Sequence, residues 1–322
     1  MSAATAPAAR AKVDVPLAYD QRADAGAVAV LRRLLAVIRD NVEGAIAGQD
    51  DEYLHQLRIA VRRSRTVQRQ LAGVFDPVVL PGFRSEFRWL QQATGPARDL
   101  DVYIGQLDGL AELVPAAQRA ALGPLRPVLL HSRMTARADM TRALRSVRAA
   151  ELFEDWDQVL ETLVELPLEG RPEAARPLGV VTGARIRKVY KRIVHMGRRI
   201  EPESPAEQYH ELRKKAKELR YLLELFGLKL FDEEGVAPMV RTLKALQDVL
   251  GRHQDREVQM AMLRSLADEV STLPGGGAAC VAMGVLVDRL ALDETAAREE
   301  FGERFARFAA DEQQSLVKDT FR

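Results

Sequence analysis

His55, Arg58, Arg62, Arg65 and Arg69 succeed one another at steps of three, four, three and four residues, a spacing that sets side chains along one stripe of a helix. His210, Arg213, Lys217 and Arg220 repeat those steps farther along the chain. Leu57, Ala60, Val61 and Leu71 in the first segment, and Leu212, Ala216, Leu219, Leu223 and Phe226 in the second, supply apolar faces. Each helix therefore packs on one side and presents cations on another. Like charges so placed oppose helix formation by about 0.2–0.5 kcal/mol per pair, and neither stripe holds an acid to relieve them. For one helix a solvated basic face is the plain reading; two copies in register point to a ligand. Guanidinium groups take up phosphate or carboxylate oxygens in pairs and keep their charge. At ~1.5 Å rise per residue, Arg58 to Arg65 spans ~10 Å, enough for several successive phosphates.

Other chemistries have weaker signals. His55 and His210 head the two stripes, where they can orient neighbours or donate to a phosphate oxygen, and the surrounding arginines oppose their protonation. Neither belongs to a His-Glu-x-x-His pattern, so no metal site is expected. Asp99 and Asp255 are matched by the repeat and fit a salt bridge or helix start better than a divalent ion. The chain has no Gly-Lys-Ser/Thr phosphate loop and no Gly-x-Ser-x-Gly elbow. No catalytic residue, metal or cofactor is assigned, and binding without turnover is expected. Nucleic acid fits less well, because base-tolerant strand binding combines cations with aromatic platforms. Only Tyr190 and Tyr221 lie near the basic clusters.

The elements that position these residues follow from a repeat. A shift of 155 residues lays Leu31-Arg32-Arg33-Leu34 on Ile186-Arg187-Lys188-Val189 and His55-Gln56-Leu57-Arg58 on His210-Glu211-Leu212-Arg213. With one more residue inserted, Arg88 meets Lys244, Leu90-Gln91 meets Leu246-Gln247, Gly95 meets Gly251 and Asp99 meets Asp255. Ala, Leu, Arg and Glu dominate, aromatic residues make only 6%, and sustained alternation is absent, so the fold class is all-α. Helices are expected near 25–47, 51–75, 81–94, 97–113 and 116–149, then 180–199, 205–226, 236–250, 255–273 and 277–310. Ser204, Pro205 and Glu207 read as a capping box. The expected organisation is a disordered lead over 1–21, a first helical bundle over 22–165, a Pro/Gly-rich linker over 166–178 and a second bundle over 179–322.

Overall composition sets the frame. The 322 residues carry 47 Lys+Arg and 46 Asp+Glu, so no global charge attracts nucleic acid or membrane and an anion site must come from local segregation. Such segregation exists: residues 185–199 hold seven Lys or Arg and no acid, while 151–169 hold seven carboxylates and no base. The single Cys280 excludes a disulfide framework and a Cys-based zinc site. No apolar run approaches the ~18 residues of a membrane span, and the N-terminal segment lacks the apolar centre of a signal peptide. A cytoplasmic protein with no membrane partner is expected.

The doubled His-x-x-Arg-x-x-x-(Arg/Lys)-x-x-Arg motif and the Leu-Gly-x-x-x-Asp segment from Leu250 to Asp255 resemble the CHAD family, the conserved histidine α-helical domain. The counterpart from Gly95 to Asp101 is similar, although Thr94 stands where the family has leucine, and Lys217 and Lys244 stand where it has arginine. The resemblance covers roughly residues 24–310. It implies two pseudo-symmetric antiparallel four-helix bundles around a basic central cavity or pore that binds inorganic polyphosphate, and association with polyphosphate granules. No fused triphosphatase domain is expected, since after Glu201-Pro202-Glu203 the place of that motif's lysine is taken by Pro205. Carried over by position, His55, Arg58, Arg62, Arg65, His210, Arg213, Lys217 and Arg220 are the central phosphate contacts. Arg32, Arg187, Arg88 and Lys244 come next, and Lys214, Lys191, Arg133 and Arg137 complete the set. Arg63 and Lys215, one step off the stripe, are expected to face solvent. The competing readings are a metal-dependent enzyme acting on polyphosphate or phosphorylated metabolites, and a helical nucleic-acid-binding or docking module.

Overall fold

A computed structural model describes residues 7–322. Helices α1 (Ala23–Ala47), α2 (Asp51–Gln70), α3 (Leu80–Ala93), α4 (Gly95–Ala111), the single turn α5 (Ala116–Arg119), α6 (Leu125–Leu144) and α7 (Val147–Thr162) form the first half. The second half comprises α8 (Leu178–Gly197), α9 (Ala206–Leu222), the short α10 (Leu228–Leu230), α11 (Glu233–Ser271), α12 (Gly276–Phe308) and α13 (Asp311–Thr320). No strand occurs among the described residues; the chain is all-α. The repeat is visible in the starts of the helices: α1 and α2 begin 155 residues before α8 and α9.

The halves then diverge, for a local reason. Pro96 stands in the first turn of α4, where its missing N–H does no harm, and the preceding chain breaks at Thr94. At the equivalent place the second half has Arg252, so the two expected helices are one 39-residue helix, α11; Gly251 alone does not interrupt it. The long helix expected over 116–149 instead breaks at Gly123-Pro124 and again before Ser146, whose side chain accepts from the Ala149 N–H and starts α7. The expected capping box also fails: Pro205 is the N-cap without a side-chain bond, and the Ser204 hydroxyl accepts instead from the Glu201 N–H at 3.0 Å.

Residues 7–21, expected as part of a disordered lead, pack as an extended strap; residues 1–6 of that lead lie outside the described residues. Ala11 and Val13 are buried. The Ala11 N–H donates to Gln56 at 2.7 Å, Asn41 donates to the Ala9 carbonyl at 2.8 Å and Lys229 donates to the Val15 carbonyl at 2.9 Å. Arg63, expected toward solvent, donates to the Ala11 carbonyl and pairs with Glu224, so the strap ties α2 to the turn after α9.

The connection between the halves is ordered by Arg171. Its guanidinium is buried and donates to Asp24 (3.1 Å), to the Val74 carbonyl (2.9 Å) and to the Leu166 carbonyl (2.9 Å). Asp24 also accepts from Arg22 at 2.6 Å. Replacing Arg171 by leucine is expected to lower unfolding stability by about 2 kcal/mol, less than a fully orphaned buried charge would, because Arg22 still pairs with Asp24. Equilibrium denaturation checks this value; an unchanged midpoint would show that the linker is held by other contacts.

Two apolar cores hold the molecule. The larger joins α1, α2, α8 and α9 with α3, α7 and the first part of α11. The smaller joins Leu107, Leu110, Leu125 and Val128 from the first half to Met260, Leu263, Leu286 and Leu290 from the second. Helices α4 and α11 run through both: Ala97 and Leu250 lie in the larger core, Leu107 and Met260 in the smaller. The residues between these anchors are predominantly polar, and they form one wall of the site.

Candidate functional site

A cleft of about 360 Å³ opens between the two cores and draws its walls from four helices. Helix α2 supplies His55, Arg58, Ile59 and Arg62, and α9 supplies His210, Arg213 and Lys217. The two cationic stripes therefore converge. Helix α4 adds Arg98, Asp99, Val102, Tyr103 and Gln106, and α11 adds Gln254, Asp255, Val258 and Gln259. Five guanidinium or ammonium groups thus face two carboxylates.

Each cation is held differently. Arg58 is buried, and its Nη1 donates to the Gln91 carbonyl at 2.8 Å and to the Thr94 hydroxyl at 2.9 Å. The Thr94 hydroxyl in turn donates to the Leu90 carbonyl at 2.8 Å, so the residue that departs from the family pattern is the one that fixes Arg58. Burial, and then neighbouring Arg62, lower the Arg58 guanidinium to about 10, which leaves it charged at neutral pH. Arg213 lies 3.7 Å from Asp255. Among the described residues Arg62, Arg98 and Lys217 have no carboxylate within 4.0 Å. Burial is the main influence on Lys217, followed by Arg213 and Arg62; against a weaker pull from Asp255 they press its ammonium down to about 7.

The paired histidines differ as well. His210 shares a hydrogen bond between Nδ1 and Gln254. The repeat places Arg98 where the second half has Gln254, so His55 faces a cation; burial and then Arg98 lower its pKa. Several buried donors at the cleft are unpaired: the Nε atoms of Arg58 and Arg213 and the Tyr103 hydroxyl make no hydrogen bond among the described residues. Unmet donors in a cationic, half-enclosed site suit an anion with many acceptor oxygens. Gln106 and Gln259 close one end, hydrogen-bonded to each other at 2.9 Å.

Six of the sixteen sequence-derived contacts line this cleft: His55, Arg58, Arg62, His210, Arg213 and Lys217. The others lie elsewhere. Arg65 hydrogen-bonds Gln91, and burial, followed by Arg69, Arg88, Arg62 and Arg84, lowers its pKa. Arg220 pairs with Glu224 at 2.6 Å, and Lys214 pairs with Glu211. Arg133 and Arg137 both hold buried Asp101 at 2.9 Å, tying α6 to α4. Arg32 is 4.0 Å from Asp157 and Glu161, because the acidic α7 packs beside α1. Arg187, Lys191, Arg88 and Lys244 are outside the cleft lining; Lys191, Arg88 and Lys244 are exposed, while the Arg187 Nη1 is buried and has no hydrogen-bond partner among the described residues. Lys215 pairs with Glu218 at 2.9 Å.

Sequence reasoning missed Arg98, Tyr103, Gln106, Gln254 and Gln259. The signal was there: from Asp99 the helical steps lead to Val102, Tyr103 and Gln106, and from Asp255 to Val258 and Gln259. Among the described residues no group of three His, Cys, Asp or Glu side chains is assembled to hold a metal ion, and no helix is long and apolar enough to cross a membrane.

The family model of the CHAD domain matches residues 29–264. The crystal structure of the CHAD domain from the plant Ricinus communis superposes with a TM-score of 0.76 at 24% identity, covering 92% of this chain and 96% of that one. PptA from Streptomyces chartreusis superposes with a TM-score of 0.63 at 20% identity, covering 88% and 99%. At these identities the likeness is one of fold. Two uncharacterized proteins of Mycobacterium tuberculosis, MT2285 and Rv2226, are each 26% identical over 234 residues, 71% of this chain and 43% of theirs. The chain thus spans less than half the length of the curated relatives it matches.

Proposed function

The chain belongs to the CHAD domain family, and on that premise we propose that its cleft binds inorganic polyphosphate without turning it over. The observation that carries this reading is the convergence of two repeated cationic stripes on one space, where among the described residues Arg62, Arg98 and Lys217 have no carboxylate within 4.0 Å. A linear phosphate polymer brings closely spaced negative charge, relieves the repulsion among these groups, and asks for no aromatic platform. The family's two bundles around a basic central pore supply the frame for this binding. Recruitment to polyphosphate granules in the cytoplasm follows from the same affinity.

Isothermal titration with orthophosphate, short oligophosphate and long polyphosphate tests the proposal. Affinity is expected to rise with chain length and to fall steeply with salt, as counterions are released from the polymer. Equal affinity for orthophosphate and long polymer would overturn it. Comparable binding of single-stranded RNA of equal charge would favour the nucleic-acid reading, and orthophosphate release in the presence of Mg²⁺ or Mn²⁺ would favour an enzyme.

A further inference from the structure

We propose that Lys217 is a site of covalent acylation by acyl phosphates, with Arg62 and Arg213 holding the phosphoryl end of the reagent. This rests on the cleft accepting phosphoryl groups, as the binding proposal requires, but not on their belonging to a long chain.

The chain has nine lysines, and Lys217 alone lines the cleft. Three others are engaged: Lys214 with Glu211, Lys215 with Glu218, and Lys229 with the Val15 carbonyl. Lys188, Lys191 and Lys244 are exposed to water. Lys217 stands half-buried beside two guanidiniums, at the position where the first repeat has Arg62. Charge alone would be served by arginine there, as it is in the first half. A lysine adds what arginine lacks, an amine able to lose its proton.

The surroundings favour that loss. Burial first, then Arg213 and Arg62, and more weakly Arg220, oppose the charged form, Asp255 supports it, and the amine reaches about 7. About half of the Lys217 amine is then neutral at pH 7, whereas an exposed lysine near 10.4 is almost wholly protonated. The neutral Nζ attacks the carbonyl carbon of the acyl phosphate and an N–C bond forms. The bond from that carbon to the phosphate oxygen breaks, its electron pair leaves with orthophosphate, and the proton lost by Nζ passes to that phosphate or to water. No oxidant or reductant is needed. The product is a neutral amide that removes one positive charge from the cleft and fills part of it, so acylation opposes polyanion binding.

The test treats the intact chain with acetyl phosphate at pH 7 and follows each lysine by peptide mass spectrometry. Lys217 is expected to react about tenfold faster than Lys188 and Lys191, the gain in neutral amine outweighing its lower nucleophilicity; equal or slower reaction overturns the proposal. Acetic anhydride, which has no phosphoryl group, is expected to show a smaller preference, and an identical preference would overturn the role given to Arg62 and Arg213. Treated wild type should lose affinity for polyphosphate, while treated Lys217→Arg keeps whatever affinity it had before treatment; equal losses in both overturn the link to binding. Polyphosphate binding with no Lys217 acylation would sink this inference alone. Rapid Lys217 acylation in a chain that binds no polyphosphate would sink the binding proposal and support this one.

Discussion

Replacing Arg62 and Arg213 together by alanine is expected to weaken binding of long polyphosphate by at least about 100-fold. Each charge-assisted hydrogen bond to a phosphate contributes roughly 1.5–3 kcal/mol, and two of them together correspond to about 3–6 kcal/mol. The pair is chosen with the fold in mind. Arg58 is a poor target, because its buried guanidinium holds the Gln91 carbonyl and Thr94, and its loss would disturb the junction of α3 and α4. Among the described residues Arg62 has no carboxylate within 4.0 Å, and it crowds Lys217 and Arg58. Removing Arg62 relieves repulsion while removing Arg213 gives up its 3.7 Å contact with Asp255, so the double variant should still fold, which thermal melting checks. The salt dependence should also flatten, by about 0.7 in the logarithmic slope for each phosphate left unneutralised if the polymer behaves as a single-stranded polyanion. Affinity within threefold of wild type, in a folded variant, would show that the cleft is not where the polymer binds.

The second large effect is in pH. Lys217 titrates near 7 in the free protein, depressed by burial and by Arg213 and Arg62, and phosphate oxygens beside it favour the ammonium and raise its pKa on binding. The sign follows from the protons bound in each state. Below pH 7 Lys217 is charged with or without ligand, and it contributes no pH dependence. Above pH 7 the free amine is neutral while the bound one is charged, so binding takes up a proton and affinity falls, by up to about tenfold per pH unit. Between pH 7 and 9 a loss of about 100-fold is expected from this one residue. His55, also held below its usual value, adds a gain in affinity toward acid pH by the same reasoning. Titrations from pH 6 to 9 check the profile, and in Lys217→Arg the alkaline loss should disappear. A wild-type profile that stays flat to pH 9 would show that Lys217 is not near bound phosphate.

How much of this was legible beforehand depends on the range of each interaction. The stripes on α2 and α9 were readable because helical spacing is local and the repeat supplied a second copy. The merger of two expected helices into α11 turned on one residue, Arg252 in place of Pro96, a difference that sits in register within the repeat and changes only the backbone's freedom to continue. Arg133 and Arg137 looked like further phosphate contacts because their partner Asp101 lies more than thirty residues away, and no spacing rule links them. Arg32 was similarly misleading: the acid-rich segment that answers it, α7, is remote in sequence. The strap over residues 7–21 escaped notice because an Ala-rich extended segment has no periodicity, and its order comes from Gln56, Asn41 and Arg63 on other elements.

The passage of α4 and α11 through both apolar cores gives the cleft a mechanical setting. The polar stretches of these helices are beams supported at each end, by Ala97 and Leu250 on one side and by Leu107 and Met260 on the other. Any shift of either beam at the cleft is therefore transmitted to apolar packing at both of its ends. The spacing of the cleft's walls thus rests on two separate apolar clusters and not on the polar residues that line it.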